Sequence, residues 1–294
     1  MKVSFFPGCF YKNIDPAYRT SLDTLLRQLG VETEEILNWS CCGTELLERA
    51  DLEARLAVPL RNVAISEKIT RNTHLFAPCP HCHRNFCFAL ETLEASNGDL
   101  RARIAEVIGL PVEGRTQPIG LLEILEEHGL SEKLKKFVMR DLKGLKVACY
   151  YGCKTLTPER WHGVGPPERV RLMERYLEIA GAQPVPWNKR DACNGGLTAD
   201  LQPEALQWIG DILEAALSAG AQCVAVLCPV CFRNLDHYQE EALRRRRLRE
   251  RIPIFYLFEL LALAMGTSIQ KLHLERKIRP DPVLKHLGIA VGRR

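Results

Sequence analysis

Nine of the twelve cysteines in this chain fall into two groups with the same internal order. In each group an isolated cysteine is followed, after a long interval, by a cysteine near a glycine and then by a Cys-x-x-Cys pair. The members are Cys9, Cys41, Cys42, Cys79 and Cys82 in the first half, and Cys153, Cys193, Cys228 and Cys231 in the second half. Thiols gathered in this way bind metal ions or iron–sulfur clusters, or carry out redox chemistry.

The two groups differ in the number of thiols. A closed structural zinc site takes four ligands, so the five cysteines of the first group favour an iron–sulfur cluster. In the second group Asn194 stands where the second cysteine of the adjacent pair would be. The four remaining thiols suit a cubane [4Fe-4S] cluster, and they also suit zinc. The sequence leaves that choice open.

The chain shows no export or membrane-spanning pattern. Its start, MKVSFFPGCF, reaches Gly8 and Cys9 after two or three apolar residues and lacks the apolar core of a secretory signal. The most apolar segment, Ile252 to Met265, is shorter than the roughly 20 residues of a span and contains Glu259, so it predicts a buried helix. A reducing cytosol would keep cysteine pairs open. We therefore expect a cytoplasmic protein whose cysteines serve metal or redox chemistry.

The charge distribution argues against nucleic acid as a partner. The net charge is +4, and neither half carries a long basic stripe. The arginine run 244–247, followed by Arg249 and Arg251, favours a solvated helix face over a surface for an acidic partner or an anionic substrate. Lys154 and Arg160, which follow the second Gly-Cys turn, are further candidates for contact with an anionic substrate, although such residues are common on surfaces.

The predicted elements occur twice along the chain and indicate an α/β fold. Strands alternate with helices of 12 or more residues, a pattern typical of mainly parallel sheets. Because ligands collect beyond the carboxyl ends of such strands, the cysteine-bearing turns of each half are expected to meet. The predicted elements are strands 2–6, 73–77, 145–149 and 223–227, and helices 15–29, 45–68, 167–180 and 203–219.

These patterns predict two similar cysteine-rich domains, each a small mainly parallel sheet with flanking helices. The first domain covers residues 1–110 and the second covers residues 144–294. Residues 111–143 are predicted to connect them, around a helical patch from Ile119 to His128.

The motif Cys9…Cys41-Cys42-Gly43…Cys79-Pro80-His81-Cys82 resembles the CCG-domain motif of the B-type subunit of heterodisulfide reductase. Residues 151–153 and 228–236 resemble its second copy, so the likeness covers nearly the whole chain. The resemblance implies a noncubane [4Fe-4S] cluster held by the five cysteines of the first half, with disulfide cleavage at its iron. The substitution at Asn194 departs from the family pattern and favours relatives of the sulfur-oxidising type.

The same resemblance implies partner subunits. The chain lacks a ferredoxin-type run of cysteines, a dinucleotide fingerprint and a phosphate loop, so electrons must come from elsewhere. By resemblance the donor is the ferredoxin-like iron–sulfur subunit of the same complex, its C-type subunit, together with a flavin-containing subunit. The substrate would be a disulfide or another sulfur-carrying compound.

Five further residues are candidates for roles in this chemistry or in the core. His81 and His83 flank Cys82 and are candidate proton donors for the release of a thiol, or else polar neighbours of the cluster. Cys149 lies four residues before Cys153 and is a candidate fifth ligand, but a buried apolar position is favoured. Cys87 and Cys223 have no counterparts in the other half and are interpreted as core residues.

Two other functions fit the sequence. The chain could be the electron-transferring CCG subunit of a flavin-dependent hydroxyacid or succinate oxidoreductase, in which the clusters never touch the substrate. It could also be a nonenzymatic scaffold with zinc in both halves. The copurifying partner distinguishes the first alternative, and metal analysis distinguishes the second. The favoured interpretation is an oxidoreductase that acts on sulfur groups as one subunit of a complex.

Overall fold

The framework of the protein is a pair of four-stranded parallel sheets, one in each half. The structure is a computed structural model that describes residues 1–70, 72–96, 98–156, 170–274 and 276–290, so Arg160 and the first residues of the predicted helix 167–180 lie outside it. The strands are β1 Lys2–Phe5, β2 Glu32–Glu35, β3 His74–Phe76, β4 Gln117–Ile119, β5 Lys146–Tyr150, β6 Gln183–Pro184, β7 Cys223–Val226 and β8 Ile254–Tyr256.

The two sheets have the same strand order. The first sheet runs β2-β1-β3-β4 and the second runs β6-β5-β7-β8, and every neighbouring pair is parallel. The central strands are apolar and buried, as expected when helices cover both faces of a parallel sheet. The edge strand β2 reads Glu-Thr-Glu-Glu and stays partly in solvent. The repeated order confirms the predicted fold class of two similar α/β halves.

Helices flank both sheets. They are α1 Pro16–Leu29, α2 Leu52–Ile69, α3 Pro80–Glu94, α4 Gly98–Ile108, α5 Leu121–Glu126, α6 Leu130–Phe137, α7 Leu172–Ile179, α8 Ala205–Ser218, α9 Pro229–His237, α10 Gln239–Arg245, α11 Leu257–Ala264, α12 Ile269–Leu272 and α13 Asp281–His286. Among the described residues, no helix combines the length and the apolar character needed to cross a bilayer.

Local sequence signals explain where the important helices begin. The Asp15 side chain accepts a hydrogen bond from the Tyr18 backbone N–H at 3.0 Å and caps α1, and Asp51 caps α2 in the same way. Cys79 and Cys228 are the N-cap residues of α3 and α9, and each is followed by a proline at the first helical position. The Cys-Pro-x-Cys sequence therefore places its first sulfur at a helix N-terminus.

The fourth strand of each sheet comes from outside the cysteine motifs. β4, within the segment 111–143, pairs with β3, and α5 and α6 follow it in that segment. β8 pairs with β7, so the C-terminal tail beyond residue 252 completes the second sheet.

One hydrophobic core extends through both halves. It joins the α1 face of the first sheet to the whole second sheet, while a smaller core lies under α2, α3 and α4. The Tyr18 ring of α1 meets the rings of Tyr256 and Phe258 edge to face at centroid distances of 4.9 and 5.1 Å. A buried ion pair joins Arg276, in the segment after α12, to Glu259 of α11. The two halves are thus packed into one body.

Candidate metal centre

The cysteine-bearing segments lie at the carboxyl ends of the parallel strands, as the sequence predicts. In the first half they follow β1, β2 and β3, and in the second half they follow β5, β6 and β7. All twelve cysteines lie in the described part of the chain, and each is free. The topology thus brings cysteines that are distant in sequence to one edge of each sheet.

The five cysteines of the first half form a continuous series of sulfur contacts. Cys41 contacts both Cys9 and Cys42, and Cys42 lies 3.1 Å from Cys82 between the two sulfur atoms. Cys82 in turn contacts Cys79. Cys41 is exposed and Cys9 is half-buried, whereas the other three are buried. A five-thiol group with one side near solvent is the result.

Two glycines shape the first group. Gly43 has a φ of +86°, and its backbone N–H donates to the Cys41 sulfur at 3.4 Å. A Cβ at Gly43 would lie 2.0 Å from a methyl carbon of Leu47, so a side chain has no room there. Gly8 also has a positive φ, +70°, and a Cβ there would lie 3.6 Å from the sulfur of Cys82. These backbone conformations explain why glycine follows the adjacent pair and precedes Cys9.

The second half gathers its four cysteines in the same way. Cys153 contacts Cys193, and Cys228 contacts Cys231. Burial, and then the charges of these four thiols, raise the pKa of Tyr150 well above its usual value. The Tyr150 hydroxyl itself donates to the Ala192 carbonyl at 2.6 Å. The charges of all four thiols thus act on the same buried phenol.

A matched pair of asparagines braces the two cysteine loops. Asn85 donates from Nδ2 to the carbonyl oxygens of Cys42 and Thr44, both at 3.0 Å. In the second half Asn234 donates to the carbonyl oxygens of Asn194 at 3.3 Å and Gly196 at 2.7 Å. Each asparagine lies three residues after the last cysteine of its group. The loops are thus fixed to α3 and α9 by the same interaction.

The two groups meet at the boundary between the halves. Cys79 of the first half contacts Cys228 of the second, and one ligand atom each from these cysteines and from His81 lie within 4.8 Å of one another. His81 is 5% exposed. Burial, and then the charges of Cys79 and Cys228, raise the pKa of Tyr18 well above its usual value, so its hydroxyl stays protonated at this boundary. The sulfur contacts of the first half continue directly into the second.

Three of the grouped cysteines, Cys41, Cys79 and Cys193, have neighbours that favour their thiolate form. Hydrogen bonds from Cys42, from Cys9 and from the Gly43 N–H lower the pKa of Cys41 to about 2. A hydrogen bond from Cys153 lowers the pKa of Cys193 to about 6. Hydrogen bonds from Cys228, and then from Cys82 and His81, lower the pKa of Cys79 as well. Thiolate is the form that ligates iron or zinc.

His83 lies in a different environment from His81. Its Nδ1 lies 3.7 Å from Oε1 of Glu123, and both residues border a pocket of about 480 Å³. A Cβ at Gly120 would lie 2.6 Å from His83 Nδ1 and 2.5 Å from Glu123 Oε2, so glycine is needed for this pair to form. Burial raises the pKa of Glu123 to about 7. Of the two histidines, only His81 is placed among the sulfurs.

The basic residue nearest the second group is paired with an acid. Lys154 contacts Glu48 of the other half at 2.5 Å between Nζ and Oε1, and Arg84 contacts the same carboxylate at 3.2 Å. The side chain of Lys154 is 19% exposed. This interaction links the segment after Cys153 to the segment after Cys42.

The arginine run around α10 is held by neighbouring acids. Arg244 and Arg245 pair with Glu241 on their own helix, and Arg246 pairs with Asp211 on α8. The first two are well exposed. This arrangement fits the predicted solvated helix face.

The three remaining cysteines have surroundings of their own. Cys149 is 1% exposed, and burial followed by the charges of Glu174 and Cys223 raises its pKa. Cys223 lies in β7, where burial also raises its pKa. Cys87 borders the pocket that contains His83 and Glu123.

The donor sets fit iron–sulfur clusters. Five thiols joined in one series of contacts exceed the four that zinc takes, and the exposed Cys41 leaves one side of the group open. In the second half the four thiols match the ligand number of a cubane cluster and also that of zinc.

Comparison with known families decides the relationship. The model of the cysteine-rich domain called CCG matches this chain twice, over residues 3–87 and 147–236. The chain belongs to the CCG family. Both matched regions begin in the first long strand of a half and end just after its Cys-x-x-Cys pair, so the CCG domain coincides with the structural repeat.

Relatives of this CCG protein are subunits of reductases. It is 30% identical to the 8-methylmenaquinol:fumarate reductase membrane anchor subunit of Wolinella succinogenes, over 94% of this chain and 96% of that one. It is 27% identical to the B-type subunit of the ferredoxin/F420H2-dependent CoB-CoM heterodisulfide reductase of Methanosarcina acetivorans, over 94% and 93%. An Archaeoglobus profundus protein named as similar to the same heterodisulfide reductase subunit is 25% identical over 92% and 93%. The predicted resemblance to this subunit is confirmed.

A solved structure shares the fold. The crystal structure of a hypothetical protein from Helicobacter pylori aligns with a TM-score of 0.68 at 14% identity over 93% of this chain. The chain spans about half of that structure, 51% of its length.

Some residues at the site carry little or no signal in the sequence. Asn85 and Asn234 brace the cysteine loops, and their equal spacing after the last cysteine of each group was the available signal. Tyr18 and Glu123 gave no such signal, because their relation to the site depends on packing between elements. The contact between the two groups is also not predicted by the sequence.

Proposed function

We propose that this CCG protein is the iron–sulfur catalytic subunit of a heterodisulfide reductase-like complex, which interconverts a disulfide or protein-bound sulfur with thiols. The observation that carries the proposal is the continuous five-thiol group from Cys9 to Cys82, which is buried at one end and exposed at Cys41. The five cysteines are proposed to hold a noncubane [4Fe-4S] cluster. The names of the heterodisulfide reductase relatives support the proposed heterodisulfide reductase-like function.

The proposed reaction is the cleavage of RSSR′ with two electrons and two protons to give RSH and R′SH, or its reverse. When bound, the cluster supplies electrons and an iron site for sulfur. The chain contributes the thiolates, for which Cys41 and Cys79 are already poised by their neighbours. His81 and His83 are the proposed proton donors, and His81, 3.7 Å from Cys228, is the better placed of the two.

The second half is proposed to act as the electron relay. Cys153, Cys193, Cys228 and Cys231 would hold a [4Fe-4S] cluster, with zinc as the alternative. The contact between Cys79 and Cys228 supports exchange of electrons between the halves.

The remaining parts of the proposal concern the partners and the compartment. We assign a ferredoxin-like iron–sulfur subunit as the electron donor, and a flavin-containing subunit as the source of the electrons that this donor carries. The relatives are themselves named as subunits, which supports the need for partners. Twelve free cysteines fit the reducing cytoplasm, and sulfur compounds of the kind used in sulfur oxidation are the proposed substrates.

A second candidate function is favoured by one observation. The relative from Wolinella succinogenes, 30% identical, is named as a subunit of a fumarate reductase. In this alternative the chain transfers electrons for a flavin-dependent succinate or hydroxyacid oxidoreductase, and its clusters never bind substrate. A copurifying flavin dehydrogenase in place of the ferredoxin-like subunit would favour it.

The decisive experiment is metal analysis and EPR spectroscopy of the anaerobically purified native complex. We expect iron and acid-labile sulfide in similar amounts, and a new EPR signal when the protein is titrated with disulfides or persulfides. Intact clusters without any such response would favour the electron-transfer function. Zinc without iron would exclude both functions and support a scaffold.

A further inference from the structure

Asn194 occupies the position that Cys42 occupies in the first half. The glycines that follow them have nearly the same conformation, with φ and ψ of 86° and −14° at Gly43 and 95° and −9° at Gly195. Both glycine N–H groups donate to the cysteine two residues earlier at 3.4 Å. Because the loop backbones match, the side chain of Asn194 leaves its loop in the direction that Cys42 takes toward its sulfur partners.

The orientation of the Asn194 amide is fixed by its neighbours. Its Oδ1 accepts hydrogen bonds from the Gly196 backbone N–H at 3.4 Å and from Asn234 Nδ2 at 3.2 Å. The Gly196 N–H can only donate, so the atom facing it must be the oxygen. The Nδ2 end of the amide therefore points away from Asn234.

That Nδ2 group is buried and has no acceptor among the described residues. Asn194 is 2% exposed, so water does not readily serve as its partner. Buried N–H groups without an acceptor are rare in proteins, and each requires an explanation. An absent acceptor at the position of a cluster ligand suggests that the acceptor belongs to the cluster.

We propose that Asn194 replaces the fifth thiolate with a hydrogen-bond donor, whose Nδ2 N–H donates to a sulfur of the cluster in the second half. This inference rests on the proposed function, because it requires iron and sulfide in that half. A donor withdraws electron density from sulfur and stabilises the reduced state, and hydrogen bonds to sulfur are an established control of cluster potential. Asn194 thereby raises the reduction potential of the second-half cluster. An electron is therefore held more stably on that cluster than it would be without this hydrogen bond.

The alternative role for Asn194 is to fill the space left by a missing cysteine. Four variants separate the two roles. Asn194→Asp has the same shape without a donor, and Asn194→Leu fills a similar volume without one. Asn194→Ser retains a donor in a smaller side chain. Asn188→Leu makes the same substitution at an exposed position and is the control for effects of purification and of the substitution itself.

The test is a redox titration of the native complex followed by EPR, with pulsed EPR of the reduced protein in H2O and D2O. We expect Asp and Leu to shift the midpoint potential of the second-half cluster downward and to remove one exchangeable proton coupling. Ser should restore part of both. The first-half cluster, titrated in the same sample, should keep its potential.

Two results would overturn the proposal. An unchanged potential and unchanged proton couplings in the Asp and Leu variants, with normal iron content, would show that Asn194 only fills space. Zinc in the second half of the unsubstituted protein would also rule out the proposed role of Asn194. If the first half of that protein still contained iron, the proposed disulfide chemistry would be unaffected. If the Leu variant fails to assemble its cluster, the exchangeable proton coupling, lost in the Asp variant and partly restored in the Ser variant, still decides the question.

Discussion

Nδ1 of His81 lies 3.7 Å from the sulfur of Cys228, a residue 147 positions later in the chain and in the other half of the molecule. His81 belongs to the first turn of α3, and Cys228 is the N-cap of the equivalent helix α9. The N-termini of both helices therefore point at one boundary. Helix N-termini favour negative charge, so this boundary suits thiolates and anionic sulfur.

Replacement of Cys41 should remove the cluster of the first half. In a Cys41→Ser variant the contacts of this sulfur with Cys9 and Cys42 are lost, and with them the low pKa that favours its thiolate. We expect loss of the first-half EPR signal and of about half of the iron. Cys87→Ser is the control, because Cys87 lies apart from both groups and should leave the iron content unchanged. Unaltered iron, spectrum and activity in Cys41→Ser would contradict the ligand assignment.

The first half should be the place of sulfur chemistry. Cys82→Ala should abolish turnover and perturb the substrate-dependent EPR signal, because Cys82 joins Cys79 to the rest of the five-thiol group. Cys231→Ala should slow electron delivery and leave the substrate-dependent signal of the chemically reduced protein intact. Asn194→Cys is expected to turn the second site toward the five-cysteine type without being required for activity. A signal that survives Cys82→Ala but vanishes in Cys231→Ala would reverse the assignment of the halves.

Loss of the Asn85 brace should weaken the first site selectively. In Asn85→Ala the carbonyls of Cys42 and Thr44 lose their donor, which should cost about 1–3 kcal/mol of unfolding free energy. We expect faster loss of first-half iron to a chelator, measured beside Asn188→Ala, in which an exposed asparagine is removed. Equal rates in the two variants would show that the brace is dispensable.

Glu123 should make stability fall as the pH rises. Burial raises its pKa from 4.5 to about 7 in the folded protein, so between these values the folded state binds more protons than the unfolded state. Its contribution is present in full below about pH 4.5 and is lost as the pH passes 7. Neighbouring groups that act on this site are His83, Cys87 and Glu127.

Glu123→Gln removes this titration. The variant should show a flatter dependence of denaturation midpoint on pH between 4.5 and 7, at about 1.4 kcal/mol for each unit of pKa difference removed. Urea denaturation across that range measures it, with Glu53→Gln as the exposed control. Parallel curves for the protein and the Gln variant would mean that Glu123 is ionised in the fold.

Reasoning from the sequence located the cysteine sites well, since each cysteine segment follows a strand and parallel strands share one edge. It missed strands that lack a strand pattern. β2 is the polar sequence 32–35 at a sheet edge, and no apolar alternation marks it. β8 lies inside the apolar run Ile252 to Met265, for which the sequence predicts a single helix. A buried strand and a buried helix are equally apolar, so periodicity could not separate Ile254–Tyr256 from α11.

At the site itself, the sequence identifies the candidate ligands but not the relation between the halves. The sequence assigns Cys79 and Cys228 each to its own group, and their contact depends on how the two halves pack together, which no spacing along the chain encodes. The Asn194 substitution was visible in the sequence. The lack of an acceptor for its Nδ2 group could not be predicted, because the orientation of the amide depends on Asn234 and Gly196.

The shared core has a consequence for how the protein is made. The Tyr18 face of α1 is covered only when β8 and α11, at the far end of the chain, are in place. The chain must therefore be synthesised through α11, which ends at Ala264, before the first half can bury that face. Until then a nascent chain that already carries the five cysteines of the first group exposes an apolar surface, and chaperones meet an unfinished molecule rather than a completed first half.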